Sequence, residues 1–153
     1  MYPHFVAVDA SSYEDTAHPV AIAWSLADGT IKTTLIQPED DWEDWDYALE
    51  DIHGINQDTL YQRGETSWSV IRELENDLEQ PFLFCEDTSR TDFLFERLYE
   101  ACGRDVTLET GHFGDELSSQ RDLNEWLMDT GFQHLPCDER VRLMLTAWAE
   151  DNK

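Results

Sequence analysis

Asp9 closes the apolar run Phe5-Val6-Ala7-Val8, and Ser11 follows two residues later. A carboxylate at the carboxyl end of a buried strand stands where α/β folds gather their reactive groups. It can hold a hard divalent cation or orient a water; its plainer reading is a surface acid in the loop after a strand. Further along, Arg90 and Asp92 follow a second apolar run, and His134 precedes Asp138 and Glu139. A histidine changes charge near neutral pH and can move a proton. Acids such as Asp92, Asp138 and Glu139 also suit the first turn of a helix, where the dipole favours an anion.

The elements that must position these groups can be read from apolar periodicity. Phe5–Asp9 is short, apolar and partly β-branched, the pattern of a buried strand. Pro19–Leu26 is a second apolar run, and Asp28-Gly29 is a hairpin signal leading into the alternating strand Thr30–Ile36. The first third therefore reads as a three-stranded antiparallel meander, stopped by Pro38. An acidic loop, Glu39–Asp46, carries Trp42 and Trp45. Helical segments are expected at Tyr47–Ile52, ending at Gly54, and around Asp58–Tyr61. A helix capped by Thr66 runs to Gln80, with Trp68, Ile71, Leu74 and Leu78 on one face. Phe82–Cys85 reads as a fourth strand, Asp92–Ala101 as a helix and Val106–Leu108 as a fifth strand. Helices from Leu117 to Met128 and from Asp138 to Ala149 complete the chain. Three strands followed by alternating helices and strands predict an α/β fold with mixed strand directions, in one domain over residues 1–153.

Composition sets further bounds. The 153 residues are 41% hydrophobic with six Trp, which argues for a folded core and against a disordered acidic tail. No apolar run approaches the roughly 20 residues of a membrane span. The start, Met1-Tyr2-Pro3-His4, lacks a basic region leading into a long apolar segment, so no secretory signal is read there. Cys85, Cys102 and Cys137 are odd in number and widely spaced, which suits reduced cytoplasmic thiols and neither a disulfide framework nor a zinc site. The net charge is −24, with Lys32 and Lys153 the two lysines. Such a surface repels a polyanion unless its cations are tightly localised. It fits either a solvated, salt-adapted exterior or a surface that imitates nucleic acid or docks a basic protein.

Taken in order, Val6-Ala7-Val8-Asp9, His18-Pro19-Val20-Ala21-Ile22-Ala23-Trp24, Leu35-Ile36-Gln37-Pro38 and Ala48-Leu49-Glu50-Asp51-Ile52-His53-Gly54-Ile55 resemble the DEDDh 3′–5′ exonucleases. That group includes RNase T, oligoribonuclease and polymerase proofreading subunits. The resemblance covers nearly the whole chain, and Ile-His-Gly-Ile with Leu60 and Gly64 is its most specific part. It implies a three-layer ribonuclease H-like fold with a five-stranded mixed sheet in the order 3-2-1-4-5. It implies Mg2+ or Mn2+ held by four carboxylates, a histidine as general base, and short single-stranded RNA or DNA as substrate. Relatives of this size include dimers, so a homodimer is among its expectations.

Carried over residue by residue, the family pattern is eroded. Asp9 matches the first acid, but Ser11 falls on the glutamate position. Arg90 or Thr91 falls on the second-motif acid, with Asp92 available after a shift. The third motif resembles His134-Leu135-Pro136-Cys137-Asp138-Glu139, with Glu139 on the acid position, Asp138 beside it and His134 on the base. Under the resemblance, then, Asp9 and His134 are the catalytic pair and Asp9, Asp92 and Glu139 the metal ligands, while Ser11, Arg90 and Asp138 stand at or beside lost positions. His53 is a structural or substrate-adjacent position. Trp42 and Trp45 either stack on bases or anchor their loop to the core. With two acids missing, two divalent ions would be under-neutralised, and an inward Arg90 paired with Asp9 would make a stable, inert site. The expectation is an exonuclease-like protein with impaired or absent hydrolysis; the alternative is a non-catalytic acidic module that binds a basic protein. Convergence of Asp9, Asp92, Glu139 and His134 separates the two.

Overall fold

The computed structural model describes Met1–Lys153. Strand alternation sorts side chains to the two faces of the first sheet. β1 (Val6–Ala10) pairs antiparallel with β2 (Pro19–Ser25), which pairs antiparallel with β3 (Ile31–Leu35). Gly29 lets the β2–β3 connection turn at φ +89°. Helices α1 (Tyr47–His53), α2 (Gln57–Arg63) and α3 (Ser67–Asp77) follow. β4 (Phe82–Cys85) then leads into α4 (Thr88–Glu100), and β5 (Glu109–His112) pairs parallel with β4. A turn of 3-10 helix at Phe113–Glu116, α5 (Leu123–Thr130), a second such turn at Phe132–His134 and α6 (Cys137–Asp151) finish the chain.

The expected continuous 3-2-1-4-5 sheet is instead a three-stranded ladder and a two-stranded ladder. They meet at one parallel bridge, Phe5 to Phe84, where the Phe84 N–H donates to the His4 carbonyl. The fifth strand lies at Glu109–His112, not at Val106–Leu108, because the parallel register with β4 selects it over the more apolar residues before it. The expected helix from Leu117 to Met128 is split: Asp122 caps α5 through the Glu125 N–H, so the helix starts later and ends at Gly131. Likewise Asp87 caps α4 through the Arg90 N–H at 3.0 Å. That helix therefore begins four residues before Asp92, which does not open it as expected.

Two buried clusters flank the first sheet. Phe5, Ala7, Val20, Ala21 and Ala23 pack on one side with Val141, Met144 and Leu145 of α6. Val6, Ile22 and Trp24 pack on the other with Val70, Ile71 and Leu74 of α3 and Phe95 and Leu98 of α4. Helices thus cover both faces, and α6 reaches β1 with its first turn beside Asp9. No helix is long and apolar enough to cross a membrane.

Candidate functional site

β1 bends at a register shift between Asp9 and Ala10, and there the Asp9 side chain turns to the start of α6. That helix begins after Pro136, which has no side-chain acceptor to cap it. Asp9 supplies one from across the fold: its Oδ2 accepts from the Cys137 backbone N–H at 2.9 Å. The helix dipole favours an anion at this end. Arg140, in the first turn of α6, completes the arrangement. Its Nη2 donates to Asp9 Oδ1 at 2.6 Å and to the Val8 carbonyl at 3.2 Å. The pair is largely out of solvent, with side-chain exposures of 17% for Arg140 and 7% for Asp9. Each oxygen of the carboxylate therefore carries a hydrogen bond, one of them to a fixed cation.

This pair forms part of the wall of a cavity of about 150 Å3 between β1, α1, β4, α4 and the approach to α6. His53, at the last turn of α1, is part of the same wall. The Ile55 N–H donates to His53 Nδ1 at 3.1 Å, so the neutral ring carries its proton on Nε2. Nε2 is buried without a partner, as is Arg140 Nε. Burial lowers the His53 pKa, and the positive charge of Arg140 adds to this; the negative charges of Asp9 and Glu50 oppose it. Two further acids reach the cavity from the end of β4. Glu86 accepts from Gln133 Nε2 at 3.0 Å, and Asp87 is the cap of α4.

Of the other residues singled out from sequence, only Arg90 and Thr91 line this cavity. The Ser11 hydroxyl donates to Asp44 Oδ2 at 2.6 Å and accepts from the His18 N–H at 3.0 Å, outside the cavity wall. It fixes the acidic loop. The same loop is held by His18, whose ring stacks on buried Trp42 and whose Nε2 is hydrogen-bonded to the Asp44 carbonyl. Trp42 is thus an anchor and not a stacking platform for bases. Arg90 does not pair with Asp9: its guanidinium donates to the Ser12 carbonyl and lies over the rings of Tyr13 and Phe93. Thr91, which also aligns with the second-motif acid, is a neutral part of the cavity wall. Asp92 is exposed on the far side of α4, where it accepts from Thr110 Oγ1 of β5 at 2.6 Å. His134 is exposed and off the cavity wall; Glu139, half-buried, is also off it and pairs with Arg142. Asp138 is half-buried in the first turn of α6, also off the wall.

The expected convergence is therefore absent: Asp92 belongs to the second turn of α4, and Asp92, Glu139 and His134 all lie off the wall that holds Asp9. No group of three His, Cys, Asp or Glu side chains is arranged to hold a metal ion. The donor set does not fit a two-metal centre, which needs several carboxylates around hard cations. Arg140, which no motif marked, is the residue that meets Asp9.

The fold defines a class: it is the α/β fold seen in exonuclease I structures. A metal-free E. coli exonuclease I complex with single-stranded DNA matches with a TM-score of 0.66 at 11% identity, over 94% of this chain and 38% of that one. An apo exonuclease I matches with a TM-score of 0.64 at 11% identity, over 98% and 42%. Exonuclease I from Methylocaldum szegediense gives 0.63 at 14% identity, over 98% and 40%. The chain spans less than half the length of each of these proteins, and at such identity the likeness is one of fold. No protein-family model and no curated protein matches the sequence.

Proposed function

We propose that this chain is an exonuclease-like domain in which two-metal hydrolysis is lost. One observation carries the reading: Asp9, the acid at the end of β1, is bound to the Cys137 N–H and to Arg140, and no group of three His, Cys, Asp or Glu side chains forms around it. Two divalent ions bring four positive charges. Asp9 and Arg140 together bring none. A divalent ion about 4 Å from a guanidinium is repelled by roughly 8 kcal/mol at an effective dielectric of about 20, twice the value for unit charges. Glu86 and Asp87 line the same cavity, held by Gln133 and the start of α4, but they do not join Asp9 in a group of three ligands. The Mg2+ or Mn2+ and the general base implied by the sequence resemblance therefore have no place here, and no hydrolytic step is routed through Asp92, Glu139 or His134.

A second reading is favoured by a separate observation. Of the ten cations, Lys32, Arg104, Arg121, Arg140 and Arg142 are in ion pairs, and Arg72, Arg90 and Arg97 lie over aromatic rings. Half of the cations are thus in ion pairs, while most of the 34 acids remain uncompensated. This supports an acidic interaction module with a basic protein partner over a nucleic-acid binder.

Fluorescence anisotropy tests the choice. A labelled single-stranded oligonucleotide and a labelled lysine- and arginine-rich peptide are titrated with the protein at two salt concentrations. Binding of the peptide alone, weakened by salt, supports the acidic module. Tight oligonucleotide binding returns the chain to nucleic acid. Light scattering on the same samples reads monomer or homodimer.

A further inference from the structure

Resting on the reading that hydrolysis is lost, we infer that Arg140 is a built-in cation that closes Asp9 to divalent metal ions. The geometry of the guanidinium carries this. Arg140 Nη2 sits 2.6 Å from Asp9 Oδ1, and a magnesium ion bound there would lie about 2.1 Å from the same oxygen. The two positive centres would compete for one lone-pair region. The arginine keeps its charge at every pH a protein survives, so the block is not relieved by deprotonation.

The guanidinium is also held in place. Nη2 is tied to the Val8 carbonyl as well as to Asp9, and the side chain leaves the first turn of α6, whose N–H at Cys137 is bound to the other carboxylate oxygen. Withdrawal of Arg140 would strand Asp9 in a buried wall with one backbone donor. A metal at Oδ2 would share that oxygen with the Cys137 N–H and set its charge against the positive end of the α6 dipole. On the rest of the cavity wall Thr91 is neutral, Arg90 adds a second positive charge, and the acids Glu86 and Asp87 are engaged by Gln133 and by the start of α4; burial together with the nearby Arg140 charge disfavours protonation of His53, whose unpartnered Nε2 carries the proton of the neutral ring. The cleft keeps the acid of a metal site and satisfies it internally.

The test uses the full chain labelled with 15N and titrated with Mn2+ in high salt, where exposed acids hold divalent ions weakly. Paramagnetic broadening of the Asp9, Ala10 and Cys137 amides reports a metal at this carboxylate. In the wild type these amides are expected to stay sharp at Mn2+ concentrations that already broaden the acidic loop 39–46. Arg140→Gln is expected to broaden the Cys137 amide at Mn2+ concentrations at least about tenfold lower than the wild type. Adding Asp9→Asn is expected to abolish the gain. Arg140→Lys, which keeps a cation, is expected to stay sharp. Early broadening at Cys137 in the wild type overturns the inference, and so does an unchanged Mn2+ profile in folded Arg140→Gln. If Arg140→Gln does not fold, the wild-type and Arg140→Lys spectra decide. Release of nucleotides from an oligonucleotide by the wild type is a separate readout: it overturns the loss of hydrolysis, whereas broadening without release overturns only the role of Arg140.

Discussion

Separating Asp9 from Arg140 has a cost that can be worked out from their burial. The two side chains are 7% and 17% exposed, so little solvent screens the pair. Stranding one partner of a buried ion pair costs about 3–5 kcal/mol. Arg140→Met keeps most of the aliphatic stem and leaves Asp9 with only the Cys137 N–H, so it belongs in that range. Asp9→Asn is milder. The amide oxygen still accepts from Cys137 and preserves the start of α6, and the loss is the charge-assisted bond to Arg140, about 1.5–3 kcal/mol. The double variant strands no charge and should lose about 2–3 kcal/mol less than the sum of the singles. Equilibrium urea unfolding of the four proteins measures this coupling directly. Thermal unfolding should show Arg140→Met shifted down by about 6–20 °C, at 2–4 °C per kcal/mol for a chain of this size. Losses below about 1 kcal/mol for both singles, with additivity in the double, would be the behaviour of an exposed pair and would refute the reasoning.

Three further outcomes follow from the same structure. His18 and His53 have pKa values lowered from 6.5, chiefly by burial. The unfolded chain then binds protons that the folded chain does not, so stability holds above pH 6.5 and falls as pH drops below it toward the folded values. His53→Gln should flatten that fall in urea titrations run in high salt; an unchanged slope contradicts the assignment. Ser11→Glu should not restore a metal site and should lower stability, because it forces a second carboxylate into a buried position beside Asp44. Ser11→Ala should cost about 1–3 kcal/mol. Both effects are read by chemical unfolding, and a stable Ser11→Glu would overturn the buried placement. Burial pushes the Cys85 thiol up to about 11 and the Cys137 thiol well above its usual value. Burial raises the Cys102 thiol as well, but Cys102 alone is not fully buried, so a thiol reagent should label native protein there and not at Cys85 or Cys137. Loss of labelling in Cys102→Ser checks this, and rapid labelling of two or more thiols contradicts it.

Much of the fold was legible because it rests on local signals. Alternating residues and the Asp28-Gly29 turn mark β2 and β3, and Gly54 and Thr66 mark ends of α1 and α3. The fifth strand was displaced because Glu109-Thr110-Gly111-His112 has no apolar signature of its own; its pairing with Phe82–Cys85 creates it. The start of α4 lies four residues before the expected Asp92, because the Asp87 carboxylate caps the helix there. At the site, the strand end marks Asp9, and the sequence offers Arg90 as its partner only if that side chain turns inward; instead Arg90 is taken by the Ser12 carbonyl and two aromatic rings. Arg140 is 131 positions from Asp9, and only the packing of α6 against β1 brings them together. The sequence's sole hint was its place directly after Glu139, on a turn whose preceding Pro136 cannot cap its own helix.

The loss of two-metal hydrolysis is tested most directly by incubating the wild type with a 5′-labelled single-stranded oligonucleotide and Mg2+ or Mn2+, with Asp9→Ala run in parallel. The account predicts that shortening of the oligonucleotide by the wild type stays at the level seen with Asp9→Ala. Stepwise shortening from the 3′ end by the wild type, abolished in Asp9→Ala, would contradict it.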